Sequence, residues 1–139
     1  MILADTSAWI EFDRATGSAV DQRLTGLIRS GGPLAVTEPV LMEVLAGART
    51  DRHESDLRRL LLRHQVLPAD AAVDFEATAR VYRRCRAVGV TPRGMVDCLI
   101  AVIAWRFEAV LLAQDVDLVR VAKVLGVALD DATPLPPSG

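Results

Sequence analysis

At 139 residues the chain has the size of one domain, long enough to bury a core without disulfides or a structural metal. Hydrophobic residues make up 51% and charged residues 24%, which excludes disorder over most of the length, and a net charge of −2 supplies no global attraction for nucleic acid. A nucleic-acid partner therefore has to be argued from local features.

In chain order, the apolar run Met1 to Ala4 predicts a strand that stops at Asp5, Thr6 and Ser7, followed by a helix through Trp9 to Asp13. A strand that begins at residue 1 is not a signal peptide, because cleavage would remove part of the core. Gly17 to Arg29 reads as a helix, and Leu34 to Val36 as a second strand. Thr37-Glu38-Pro39 starts a helix that carries "VLMEVLAG" and stops near Gly47. Asp51 to His64 is a helix with Leu57, Leu60 and Leu61 on one face. In "AAVDFEATARVYRRCRAVGV", Val73, Ala77, Val81, Cys85 and Val88 fall at helical spacing, while Arg80, Arg83 and Arg84 lie elsewhere on the surface.

Gly89 to Gly94, with Pro92, is a loop. "MVDCLIAVIAWRF" after it is apolar nearly all round, so it predicts a central, buried helix with Trp105, like Trp9, in the core. A third strand is expected over Val110 to Ala113 and a fourth over Val127 to Leu129, with a helical pattern through Lys123 between them. The chain divides into one domain, 1–130, and a Pro-rich tail, 131–139, expected to be extended or disordered.

These strands are short and continuously apolar rather than alternating, as expected where helices cover both sheet faces. The expected fold is α/β: a three-layer α/β/α domain with a mostly parallel central sheet. Cys85 and Cys98 match no metal-ligand spacing and read as reduced packing residues, which fits the cytoplasm. The longest apolar stretch, Cys98 to Trp105, is too short to span a bilayer, so no membrane association is expected.

Ligands of open parallel sheets sit beyond the carboxyl ends of the strands. Asp5 follows the first strand directly, and Asp115 and Asp117 follow "VLLAQ", so two strands deliver acids to one edge. The helix after the second strand starts at that edge and carries Glu43 among apolar or small neighbours. Asp97 is the only charged residue between Arg93 and Arg106 and lies in the first turn of the most hydrophobic helix. Taken singly, Asp97 could be a local cap and Thr6 and Ser7 could cap the first helix. Together these acids repel strongly unless a cation joins them. Oxygen donors without histidine or cysteine specify Mg²⁺, with Mn²⁺ substituting, rather than zinc. Asp5 is then a metal ligand, and Thr6 and Ser7 orient the carboxylates around it.

The strand ending in Asp-Thr-Ser, the glutamate of "LMEVLAG", the "DCLIA" helix and the late "DVDL" together resemble a PIN domain, and more narrowly the VapC-type toxins of toxin–antitoxin pairs. The resemblance runs from Met1 to about Leu129. It implies an endoribonuclease, dependent on Mg²⁺ or Mn²⁺, that cleaves structured RNA such as tRNA or rRNA to stop translation and growth. It implies frequent homodimerisation and inhibition by a cognate VapB-type antitoxin. It also implies that Asp5, Glu43, Asp97 and Asp115 are the catalytic acids, with Asp5, Asp97, Asp115 and Asp117 holding metal. Two departures stand out: Ala113 where the family often has threonine or serine, and Leu118 where it often has phenylalanine.

Arg93, Arg80, Arg83 and Arg84 are candidates for RNA phosphate. His53 and His64 form no catalytic constellation with a serine or cysteine. A receiver domain needs a lysine at a late strand end, which Lys123 does not supply, and a haloacid-dehalogenase-type phosphatase needs an acid where Ser7 stands. The competing non-enzymatic reading is a weak or inactive PIN-like module that binds RNA or a partner.

Overall fold

A computed structural model describes residues 1–137. Four parallel strands form the sheet: β1 (Ile2–Ala4), β2 (Leu34–Val36), β3 (Gln65–Val66) and β4 (Val110–Leu112), in the order β3-β2-β1-β4. β1 is central, with Ile2 opposite Leu34 on one side and Val110 on the other. The first three strands add outward in one direction and β4 is placed on the other side of β1. The gap between β1 and β4 is therefore the switch point of the sheet, where ligands of such folds bind.

Seven helices cover the sheet: α1 (Thr6–Asp13), α2 (Ala19–Ser30), α3 (Glu38–Ala46), α4 (Asp51–Leu61), α5 (Ala71–Ala87), α6 (Met95–Arg106) and α7 (Val116–Leu125). This is the three-layer α/β/α arrangement with the sheet in the middle. Helices α1 to α4 pack on one another, as do α5 to α7, and α3 touches α6. The strands are buried on both faces except at β3 and Val110, and Trp9, Leu24, Leu61, Ile100, Ile103 and Leu118 fill the space beneath the helices. None of the described helices is long and apolar enough to cross a membrane.

Three sequence expectations are corrected. Val127 to Leu129 makes only one bridge, Leu111 to Leu129, while the fourth strand is instead β3, an exposed pair of residues on the far edge. In α5, Val73 and Val88 are exposed, and Asp74 and Thr78 are buried. Asp74 is driven inside by Arg106, whose Nε and Nη2 donate to its two oxygens at 2.8 and 2.7 Å. Trp105 is not in the core: 59% of it is exposed at the end of α6. At the end of the domain Asp130 pairs with Arg23, and the Thr133 hydroxyl just after it is buried between Leu111 O and Ala113 N. Residues 134–137 follow without regular structure, and Ser138 and Gly139 of the predicted tail lie outside the described residues.

Cys85 and Cys98 are both free thiols in the core. Burial pushes each thiol pKa up, that of Cys98 to about 11, which keeps them protonated and inert.

Candidate functional site

The ends of β1 and β4 meet at the switch point. Asp5 caps α1, and its Oδ2 accepts from the Ser7 backbone N–H at 3.0 Å and the Ser7 hydroxyl at 2.7 Å. The same hydroxyl accepts the backbone N–H groups of Gln114 at 2.9 Å and Asp115 at 3.2 Å. Ser7 thus fastens the start of α1 to the loop after β4. Ala113 leaves no side-chain hydroxyl at that loop, and Ser7 provides one from the neighbouring strand end.

Thr6 reaches the other way. Its hydroxyl donates to Glu43 Oε1 at 2.7 Å, drawing the glutamate of α3 to the end of β1. Thr6 and Ser7 therefore position carboxylates, and it is Asp5 that caps the helix. Asp115 caps α7, its Oδ1 accepting the Asp117 N–H at 2.9 Å. Asp97, in the first turn of α6, completes the group.

Electrostatics show that these acids share one space. Burial pushes the Asp5 carboxyl up to about 6 against the opposing pull of Ser7, and Glu43 adds to the rise. Burial also lifts Asp97 to about 6, helped by the charges of Asp115, Asp5 and Glu43 and opposed by Arg93. Asp97 thus feels the charges of Asp5, Glu43 and Asp115, and Asp5 feels that of Glu43.

The donor set fits a hard divalent cation. It consists of carboxylates alone, and both the burial that lifts Asp5 and Asp97 and the neighbouring charges that add to it favour a bound dication over two bare anions. As the side chains stand, no group of three or more acidic, histidine or cysteine residues among the described residues is arranged to hold a metal ion. Arg93 lies among these acids: its Nη2 donates to Asp115 Oδ2, and its Nε lies 3.2 Å from Asp117 Oδ2.

The other predicted arginines do not join this group. Arg80 and Arg84 line a separate cleft of about 360 Å³ with Trp105, Arg106 and Leu125, and Arg83 is exposed on α5. Two arginines given no role by the sequence share a cavity with Glu43. Arg14 and Arg49 line a cavity of about 110 Å³ together with Glu43, Trp9 and His53. His53 is fixed there by Asp13, with Nε2 3.2 Å from its carboxylate oxygens, and by the Arg49 N–H on Nδ1. No spacing signal connects residues 14, 49 and 53, so only the fold reveals them.

Comparison with known proteins decides the family. A family model described as the PIN domain matches residues 2–124. The chain belongs to the PIN-domain family. Within it, the chain is 41% identical over 125 residues to VapC ribonuclease Mb1587 of Mycobacterium bovis and to Ribonuclease VapC11 of Mycobacterium tuberculosis. Each alignment covers 89% of this chain and 93% of the relative. Among solved structures, this PIN domain superposes on VapBC2 from Rickettsia felis, bound to a DNA fragment from its promoter, with a TM-score of 0.72 at 18% identity, covering 94% of this chain and 98% of the other. It superposes on DNA-bound VapBC from Salmonella typhimurium with a TM-score of 0.71 at 21% identity, covering 94% and 97%. Those two structures share the PIN fold with this chain.

Proposed function

We infer that this PIN domain is an endoribonuclease of the VapC kind, the toxin of a toxin–antitoxin pair, and that it depends on Mg²⁺ or Mn²⁺. The observation that carries this reading is the gathering of Asp5, Glu43, Asp97 and Asp115 at the switch point of a chain closely similar to proteins named as ribonucleases.

Asp5, Asp97 and Asp115, with Asp117 at the rim, would hold the cation. A dication bound there supplies Lewis acidity, lowering the pKa of water and stabilising charge on phosphodiester oxygens. Ser7 holds Asp5 in one rotamer and ties it to the Asp115 loop. Thr6 occupies Glu43 Oε1, which leaves Oε2 to orient or accept a proton from the attacking water. Arg93, Arg14 and Arg49 surround the acids with the positive charge that an RNA backbone requires. The substrate is structured RNA, tRNA or rRNA, and the inhibitory partner is a VapB-type antitoxin.

The test uses purified, antitoxin-free protein with total cellular RNA and Mg²⁺ or Mn²⁺, alongside EDTA and Asp97→Asn controls, with new 5′ ends mapped. Discrete cuts lost in both controls are expected. A folded protein that makes no cut with either metal would overturn the reading in favour of a binding module.

A further inference from the structure

Arg93 stands in the turn between α5 and α6. Pro92 is buried and anchors the turn, whereas 65% of the Arg93 side chain is exposed. Its guanidinium is nonetheless held: one nitrogen takes Asp115 and another takes Asp117, the capping residue and a first-turn residue of α7. Neither acid depends on it. Asp115 also accepts the Asp117 N–H at the start of α7, and Asp117, in the first turn of that helix, has Arg120 at 3.3 Å. Arg93 therefore spans two acids that have other partners, at the edge of the acid cluster.

We propose that Arg93 is a movable internal counter-ion, whose guanidinium competes with the divalent cation for Asp115 and Asp117 and leaves when the cation arrives. The proposal rests on the reading of this cluster as a metal site. Guanidinium is singly charged, delocalised and weakly hydrated, so it fills the site loosely, while a small dication matches two hard carboxylates. The exchange needs no backbone movement, because an exposed arginine swings on its own rotatable stem. It also moves positive charge from the acids toward the RNA: the released guanidinium is the one assigned above to a phosphate.

Two readouts test this without RNA. Calorimetric titration with Mn²⁺ compares wild type, Arg93→Gln and Asp97→Asn. Removing the competitor is expected to tighten Mn²⁺ binding about tenfold in Arg93→Gln, a partly screened interaction at an exposed residue. In ¹⁵N-labelled wild type, the Arg93 Nε–H resonance, identified by its loss in Arg93→Gln, is expected to shift with Mg²⁺ in step with binding. Equal Mn²⁺ affinity in wild type and Arg93→Gln, or a resonance that stays in place at saturation, would overturn the exchange while leaving the metal site intact. If Asp97→Asn binds Mn²⁺ as wild type does, or if no protein binds it, the metal-site reading falls and the exchange with it.

Discussion

The Ser7 hydroxyl donates to Asp5 Oδ2 at 2.7 Å while accepting two backbone N–H groups from the loop after β4, so a single side chain closes the joint between two strands. Ser7→Ala leaves those N–H groups and one carboxylate oxygen without this partner. We expect a loss of about 1–3 kcal/mol in urea unfolding. Cleavage should fall further than stability, because Asp5 loses its orientation; equal RNA cleavage by Ser7→Ala and wild type would contradict the assigned role.

Metal-free stability should depend on pH with a definite sign. Asp5 and Asp97 both titrate near 6 in the folded chain, above the ordinary carboxyl value of 3.8, so the folded state binds their protons more tightly than the unfolded state. Their stabilising contribution is present below about 4 and is lost as pH rises through about 6. His64, pushed below its ordinary value by burial, acts in the opposite sense over part of that range. Comparing Asp97→Asn with wild type isolates the carboxylate share. In EDTA, Asp97→Asn should gain stability relative to wild type between about pH 5 and about pH 8, and Mg²⁺ should stabilise wild type most at the upper end. A stability difference that does not change with pH would refute this.

Arg106 is expected to matter for folding and not for metal. Asp74 is fully buried, and the guanidinium that neutralises it also donates to Pro68 O at 2.7 Å. Arg106→Met strands that carboxylate and should cost about 3 kcal/mol. Its Mn²⁺ affinity, measured under folded conditions, should match wild type. Asp74 lies below its ordinary value, since the hydrogen bonds and charge of Arg106 outweigh burial, so this pair loses its contribution only as pH falls below about 4.

Charge reversal separates the two groups of arginines. Arg14→Glu with Arg49→Glu places negative charge in the cavity beside Glu43 and should weaken RNA binding, with a salt dependence shallower by about one unit. Arg80→Glu with Arg84→Glu alters the Trp105 cleft and should leave both quantities near wild type. Filter binding of a non-cleaving Asp97→Asn background across a salt series measures them; the reverse ranking would move the RNA path to α5.

Three strands and all seven helices were legible because their signals are local: continuous apolar runs, capping residues and helical spacing. β3 was not, because two exposed edge residues carry no hydropathy pattern. The Val127 to Leu129 run looked like a strand because it is apolar, yet it contributes one bridge before turning to bury Thr133. The approach of the four acids could be anticipated, since strand ends and a helix start fix where they fall. Side-chain traffic between them could not. Residues 93 and 115 are distant in the chain, and nothing in either neighbourhood announces a guanidinium between Asp115 and Asp117. The exposure of Trp105 was hidden for a related reason: a helix apolar on every side does not reveal which end protrudes.

β1, made first, is the central strand, and it completes its pairing only with β4. Asp5 leaves the ribosome early and Glu43 soon after it, but Asp97, Asp115 and the buried Thr133 come late. A chain cut short before β4 lacks the strand on that side of β1 and the Asp115 that follows it, so the proposed site is complete only once most of the chain has been made.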